Sequence, residues 1–283
     1  MPVSLALTQA NVVSGTNKSV YSYNFPNSAV FKDGDRVALQ NLNIYYSWNN
    51  ITAAYKNNSF SYTWVVGVAV TTYVVTLPDG FYTIGQINAY LQSVMYANNH
   101  YLINGAGNYV YYLEIVANSI QNAFQINSYP IPTSLPAGYT APAGWGGYPT
   151  SLSTPQFIIP ATNIQTLLGF TVASYPLAIQ TTAYSAISNM TPQISPVTSV
   201  FLMCNLVKNN LSRPNQILYN FSPNTTYGSQ IQITPPFQVF VPIQQGSYPS
   251  ITISFLDQNF NPLVIGDSNI SILLAIKTKD ERD

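Results

Sequence analysis

Few side chains in this chain could do acid–base or nucleophilic chemistry, because its 283 residues include one His, one Cys and nine acidic residues. His100, in the stretch NNHYL, could act as a general base. A lone His at the end of a helix is more often solvated or bonded to the backbone. Cys204 lies in the apolar stretch SVFLMCNLV, where a thiol is usually a small buried hydrophobe. We therefore predict a catalytic role for neither residue.

The carboxylates are also better explained by turns than by a site. Asp33 and Asp35 in KDGDR could offer oxygens to calcium, but the further acidic ligands of an EF-hand loop are missing. Asp257 in FLDQNFNPL and Asp267 in IGDSN fit Asx-turns that join two strands, although spacing alone leaves a carboxylate pair for acid–base work open. No phosphate-binding glycine loop, zinc spacing or G-x-S-x-G motif occurs. The sequence thus predicts a protein that is not an enzyme, with no catalytic, cofactor-binding or metal-binding residues.

The low charge of the chain bears on its partners. Only 6% of residues are charged, the formal net charge is zero, and six of the eighteen charges lie in the tail KTKDERD. Without a basic stripe to neutralise phosphates, direct and extended binding of nucleic acid is disfavoured. Asn, Gln, Ser, Thr and 22 Tyr take the place of ions and can be covered by further copies of the protein at little desolvation cost. Such a surface favours self-assembly.

Compartment and membrane signals are few. The single cysteine excludes an internal disulfide and favours a reducing compartment. The first residues, MPVSLALTQANVVSG, contain neither a charged segment before an apolar run nor a long hydrophobic core. We therefore expect no signal peptide and no membrane span.

Period-2 alternation dominates the chain and predicts β-strands. In ITISF the apolar side chains alternate with Thr and Ser, as a half-buried strand requires. In NISILLAIK both faces are apolar, which predicts a central strand. In RVALQNLNIYY the apolar positions change phase, which predicts a bulge near Gln40 or Asn41. The predicted class is all-β, built from packed antiparallel sheets.

One segment, TLPDGFYTIGQINAYLQSVMYANN, departs from this pattern. Pro78 and Gly80 fit a type I turn, and Thr83 with Gln86 forms a capping box. The apolar stripe of the helix that follows, residues 83–97, consists of Ile84, Ile87, Leu91, Val94 and Met95. We expect this amphipathic helix to close a β core. A second, shorter candidate is TNIQTLLGF, with Asn163 as the cap and Gly169 as the end.

Residues 128–160 are rich in Pro and Gly, which disfavours a strand and predicts a long loop or insertion. Its Trp145 and Tyr residues favour a loop that packs on another part of the protein or on a partner over a disordered loop. Aromatic rings also stack on sugars, and Asn and Gln can bind sugar hydroxyls. Because we identify no cluster that concentrates both kinds of residue, we rank carbohydrate recognition below ordinary core and interface packing.

Four stretches together resemble a known family: PDGFYTIGQINAYLQ, LLGFTVASYP, VFLMCNLVKN and ITISFLDQNFNPLVIGDSNISILLAIK. They resemble the penton (minor capsid, vertex) proteins of virophages and Polinton-type DNA viruses. The resemblance implies a single jelly roll of eight strands in two sheets, with inserted loops or a small outer subdomain. It also implies a homopentamer at each fivefold vertex of an icosahedral virion, in contact with double jelly-roll major capsid subunits and assembled in the host cytoplasm.

On this resemblance the chain divides into three parts. Residues 1–127 form the N-terminal part of the jelly roll with the helix 83–97, residues 128–195 form the Pro/Gly-rich insertion, and residues 196–283 form the C-terminal strands. The LPDGF turn and its helix would cover one end of the sandwich, and Asp257 and Asp267 would order the last turns. No catalytic residue is implied.

Three hypotheses of function follow. The leading one is a structural capsid protein that forms the pentameric vertex. The alternative is a β-sandwich that binds a glycan or host receptor on a virion or cell surface, in which Trp145 and the loop 128–160 could take part. A hydrolase with a minimal carboxylate site at Asp257 and Asp267 ranks far below both.

Overall fold

The computed structural model describes residues 3–267 and 269–279, so the last four residues of the charged tail lie outside the described residues. The chain forms two compact units. Unit 1 combines residues 1–49 with residues 197–283, and unit 2 comprises residues 50–196. Unit 2 is therefore inserted into unit 1.

Strands make up most of the regular structure. In chain order the strands are β1 (Val3–Leu7), β2 (Val20–Phe31), β3 (Arg36–Tyr45), β4 (Ser59–Val66), β5 (Ala69–Thr76), β6 (Leu102–Ile103), β7 (Tyr109–Val110), β8 (Leu113–Asn118), β9 (Ala123–Ser128), β10 (Phe157–Ile159), β11 (Ala173–Tyr175), β12 (Tyr184–Ile187), β13 (Val200–Cys204), β14 (Ile217–Phe221), β15 (Gln230–Ile233), β16 (Val241–Pro242), β17 (Gly246–Leu256) and β18 (Ser271–Lys277). The helices are α1 (Ile84–Ala97), α2 (Ile164–Leu168) and one 3-10 turn (Gln9–Asn11).

Unit 1 has the strand order of a jelly roll. One sheet runs β1-β18-β3-β15, with the two-residue β16 also paired to β3, and the other runs β14-β13-β17-β2. If the eight longer strands are counted along the chain, the first pairs with the eighth, the second with the seventh, the third with the sixth and the fourth with the fifth. All four pairings are antiparallel, as in a hairpin rolled up on itself. The prediction of an all-β jelly roll is confirmed.

Local patterns of unit 1 also follow the sequence. Ile251, Ile253 and Phe255 of β17 are fully buried, while the Thr and Ser between them are partly exposed. Strand β18 lies between β1 and β3, as predicted for a central strand, and Leu274 and Ala275 on its opposite faces are both buried. The register of β18 against β3 skips Gln40, because Leu273 faces Asn41 and Leu274 faces Leu39. The predicted bulge is therefore present, and it keeps both phases of the β3 apolar pattern directed inward.

Unit 2 has its own core. Its sheets run β11-β10-β4-β5, β12-β9-β8 and β6-β7, and helix α1 packs against β8. Aromatic side chains of β4 and β10 lie in this core, where Phe60 and Phe157 stack with ring centroids 4.6 Å apart. None of the helices in the described residues is long and apolar enough to cross a membrane.

Helix α1 forms as its sequence predicts but belongs to a different core. The Thr83 side chain accepts the Gln86 N–H, and the Gln86 side chain accepts the Thr83 N–H, which is the predicted capping box. Ile87, Leu91 and Met95 are buried in the core of unit 2. The expectation that this helix covers the end of the jelly roll is wrong, because its apolar stripe packs inside the inserted unit.

Helix α2 ends as expected but starts differently. Gly169 is left-handed, with φ of 75°, and a Cβ there would lie 2.4 Å from the Met190 carbonyl oxygen, so glycine is required. Asn163 makes no side-chain cap, because its amide donates to the Tyr55 carbonyl instead.

The boundaries of the inserted unit differ from those predicted. The sequence places an insertion at 128–195, whereas the compact unit runs from 50 to 196, between the third and fourth jelly-roll strands. The reason is strand pairing: β9, which ends at Ser128, pairs with β8 on one side and with β12 on the other. The residues on both sides of position 128 therefore share one sheet and cannot belong to separate units.

Candidate functional site

His100 lies in an aromatic cage inside unit 2. Its ring stacks on Trp64, with centroids 4.4 Å apart and an interplanar angle of 12°, and packs against the edge of Tyr73. The Tyr62 hydroxyl lies 2.8 Å from Nδ1. The side chain is 5% exposed, and burial lowers its pKa to about 4. The expectation of a histidine that is solvated or bonded to the backbone is wrong, because the ring is buried and its Nδ1 bonds the Tyr62 hydroxyl. A histidine enclosed in this way is part of the core.

Cys204 lies on β13 with its side chain fully buried. Burial raises the pKa of this thiol to about 12, so it carries almost no thiolate at neutral pH. The prediction of a small buried hydrophobe is confirmed.

Asp35 orders a turn in unit 1. One carboxylate oxygen accepts the Lys32 N–H at 2.8 Å, and the other accepts the Lys279 N–H at 2.9 Å. The side chain is buried, and both oxygens bond to the backbone. The turn interpretation of KDGDR therefore fits better than a calcium loop.

Asp257 and Asp267 form the predicted Asx-turns. Asp257 Oδ1 accepts the N–H groups of Asn259 and Asn261, at 2.8 and 2.9 Å. Asp267 Oδ1 accepts the Asn269 N–H at 3.1 Å. Each carboxylate thus orders the turn that follows it. Across residues 3–267 and 269–279, no group of three or more His, Cys, Asp or Glu side chains could hold a metal ion.

Trp145 anchors the Pro-rich segment on the core of unit 2. Its indole meets Trp64 edge-on at 5.7 Å and lies 5.3 Å from the ring of Tyr148. The segment therefore packs on the protein, as its aromatic residues predict. A substitution of Trp145 would disturb this packing, so it would not test receptor binding cleanly.

A tyrosine cluster occurs at the end of α1, where the sequence analysis missed it. Tyr101 stacks on Tyr96 at 5.0 Å and contacts Tyr109 at 4.9 Å and Tyr111 at 6.0 Å. Tyr96 and Tyr109 are about half exposed. The expectation that no segment concentrates Tyr with Asn is wrong, since residues 96–112 contain five Tyr and four Asn. That local count could have identified the cluster.

The surface exposes large apolar side chains and has few charged residues. Residues 50–196 contain only three charged side chains, Lys56, Asp79 and Glu114. The same unit exposes several large apolar side chains, including Ile120 at 95%. In unit 1, the loop before β16 exposes Phe237 at 82% and also exposes Val239. Surfaces of this kind are typical of proteins that are covered by a partner.

Comparisons with known proteins were made for the whole chain. No family model matches it, and no curated protein matches it. Among solved structures, the mavirus penton protein is similar over 98% of this chain and 98% of its own, with 9% identity and a TM-score of 0.44. A chain from the cryo-EM structure of the Sputnik virophage is similar over 99% of this chain and 98% of its own, with 12% identity and a TM-score of 0.40.

Proposed function

We propose that this protein is a structural capsid protein whose five copies form the vertex of an icosahedral DNA-virus shell. The observation that carries the proposal is a jelly roll with an inserted unit that has only three charged residues and exposes large apolar side chains. A soluble monomer with such a surface would tend to associate, because the chain has no net charge to keep copies apart. The resemblance of four sequence stretches to penton proteins supports the same role.

A ring of five requires a heterologous interface, in which two different faces of each copy are complementary. We place Phe237 and Val239 on one of these faces, since both are exposed on a loop that two prolines, Pro235 and Pro236, restrict. A preordered apolar loop loses little conformational entropy when a neighbour covers it. The same proposal includes contact with a double jelly-roll major capsid protein. It also includes location in the virion and assembly in the host cytoplasm.

The mass of the purified protein in solution tests the ring. Light scattering should give at least five times the 31.1 kDa of the chain, for the protein alone or together with the major capsid protein. Phe237→Ser should weaken the ring about 30-fold, because a buried Phe side chain contributes about 2 kcal/mol. Gln238→Ser, at the exposed position between the two apolar residues, is the matched control and should leave the mass unchanged. A protein that stays monomeric at high concentration with and without the capsid partner would overturn the proposal.

A second candidate function, glycan binding, is favoured by the tyrosine cluster. Tyr96 and Tyr109 are each about half exposed, and Asn108 lies exposed beside Tyr109 in the chain. Aromatic rings next to amide side chains suit the apolar faces and the hydroxyls of a sugar. This surface would add receptor binding to a capsid role rather than replace it.

A glycan array probed with the full chain tests this second candidate. Tyr109→Ala should reduce binding to the positive glycans at least tenfold, whereas Tyr129→Ala, another exposed tyrosine of unit 2, should not. The candidate fails if the full chain binds no glycan, or if the two variants bind equally well.

A further inference from the structure

Strand β5 is an outer strand whose hydrogen-bonding edge has no neighbour among the described residues. It ends the sheet β11-β10-β4-β5 and pairs only with β4. The Thr63 N–H donates to the Gln156 carbonyl, away from β5. Thr72 lies directly opposite Thr63, so its own N–H and C=O point away from β4. By the two-residue period of a strand, the backbone groups of Val70, Val74 and Thr76 point outward as well.

This edge lacks the features that normally protect a free edge. Residues 68–76, VAVTTYVVT, contain no charged residue and no proline, and four of the nine are valine. The pairing of β5 with β4 runs over eight residues without a bulge. Val70 and Val74 are 50% and 64% exposed. Outer strands that stay free usually carry Lys, Pro or a bulge, and a straight, uncharged, β-branched strand readily adds another strand.

We infer that β5 pairs antiparallel with β5 of a second copy of this chain, about a twofold axis at Thr72. In this register Thr72 faces Thr72 of the second copy, and Val70 faces the second copy's Val74. The three pairs are Thr72 with Thr72, Val70 with Val74, and Val74 with Val70. All these residues have outward-pointing backbone groups, so each pair exchanges two hydrogen bonds and the contact forms about six. A shift by two residues would place each valine opposite a threonine. An axis at Val74 would also match valine with valine and threonine with threonine, but it would set Val70 opposite Pro78, which has no N–H to donate. The register with the axis at Thr72 matches like residues and keeps all three pairs within β5.

The second copy fits this edge for a further reason. Two identical strands repel each other when they carry charge, and β5 carries none. The contact would join the sheets of two inserted units into one continuous antiparallel sheet. It is independent of the proposed ring of five, since a twofold contact uses the same surface on both copies whereas a ring uses two different surfaces.

Cysteine crosslinking of the full chain tests the pairing. Directly opposed residues of a hydrogen-bonded antiparallel pair have Cα atoms about 5.5 Å apart, within reach of a disulfide. Thr72→Cys should therefore form a covalent dimer on mild oxidation. The native Cys204 is buried and contributes little background. Thr71→Cys is the matched control, because this neighbour is also exposed but lies on the other face, offset from its copy. We expect at least tenfold more dimer from Thr72→Cys than from Thr71→Cys.

The same experiment separates this contact from the ring. In a chain that also carries Phe237→Ser, the Thr72→Cys dimer should persist even if the pentameric mass is lost. Thr72→Lys without any cysteine variant should lower dimer formation in sedimentation, because two ammonium groups would meet at the axis. Equal crosslinking at positions 71 and 72, or the absence of a Thr72→Cys dimer at high protein concentration, would overturn the inference.

Discussion

Acidification from pH 7 to pH 5 should destabilise the inserted unit by about 2 kcal/mol through His100 alone, with about 3 kcal/mol lost below pH 4. The cause is burial, which lowers the pKa of His100 from the ordinary 6.5 to about 4. The folded state therefore favours neutral histidine, whereas the unfolded state binds a proton from pH 6.5 downward. The contribution of neutral His100 to the free energy of unfolding is complete above pH 6.5. It is lost as the pH falls from 6.5 to about 4.

The surroundings of His100 offer the imidazolium little compensation. Burial raises the pKa of Tyr62, so the phenol beside Nδ1 stays neutral and cannot balance the charge. The ring of Tyr73 packs against the imidazole on another side. The ring of Trp64 stacks on the imidazole and can attract the cation only weakly. Protonation thus places a charge in an aromatic core without an anion beside it.

Urea unfolding at several pH values, followed by tryptophan fluorescence, measures this effect. His100→Phe keeps an aromatic ring in the cage but cannot titrate, so its stability should change little between pH 7 and pH 5. All other titratable groups are the same in the two proteins, so the difference between their stability curves isolates the contribution of His100. Parallel stability curves for wild type and variant would show that His100 does not titrate as described.

Patterns confined to a few neighbouring residues could be predicted from the sequence. The bulge at Gln40 follows from a phase change within β3, and the capping box of Thr83 and Gln86 follows from their spacing. The turns at Asp257 and Asp267 are equally local. In each case the energy that fixes the structure comes from residues within a few positions of each other, so the sequence contains the necessary information.

Features that depend on distant pairing could not be predicted in the same way. Strand β3 pairs with β18, more than 200 residues later, and unit 2 begins at Asn50 without a Gly/Pro-rich linker to mark it. The cage of His100 is built from β4 and β5, whereas His100 itself follows α1 in the chain. No local pattern predicts which sheet a helix will cover. For this reason α1 was predicted to cover the jelly roll, although it packs in the core of unit 2.

Asn50→Ala should destabilise the inserted unit by about 3 kcal/mol, because one buried side chain ties together three parts of that unit. Its amide donates to the carbonyls of Tyr82 and Ile194, at 2.8 and 2.7 Å, and its oxygen accepts the Tyr82 N–H at 2.8 Å. Asn50 is the first residue of the unit, and Ile194 lies two residues before its end. The side chain therefore closes the insertion where the chain enters and leaves it.

The truncation would leave three backbone groups without these partners, and each such loss costs about 1 kcal/mol or more. Asn58→Ala is the matched control, since that amide makes a single bond of 3.3 Å to the Leu77 carbonyl and should cost less than about 1 kcal/mol. Hydrogen exchange locates the effect: amides of residues 50–196 should exchange faster in Asn50→Ala, while those of the jelly-roll strands keep their protection. Equal losses in the two variants, or faster exchange spread evenly over both units, would mean that Asn50 does not close the insertion. Because these hydrogen bonds lie within the inserted unit, the loops of that unit can change in sequence while the eight jelly-roll strands stay paired.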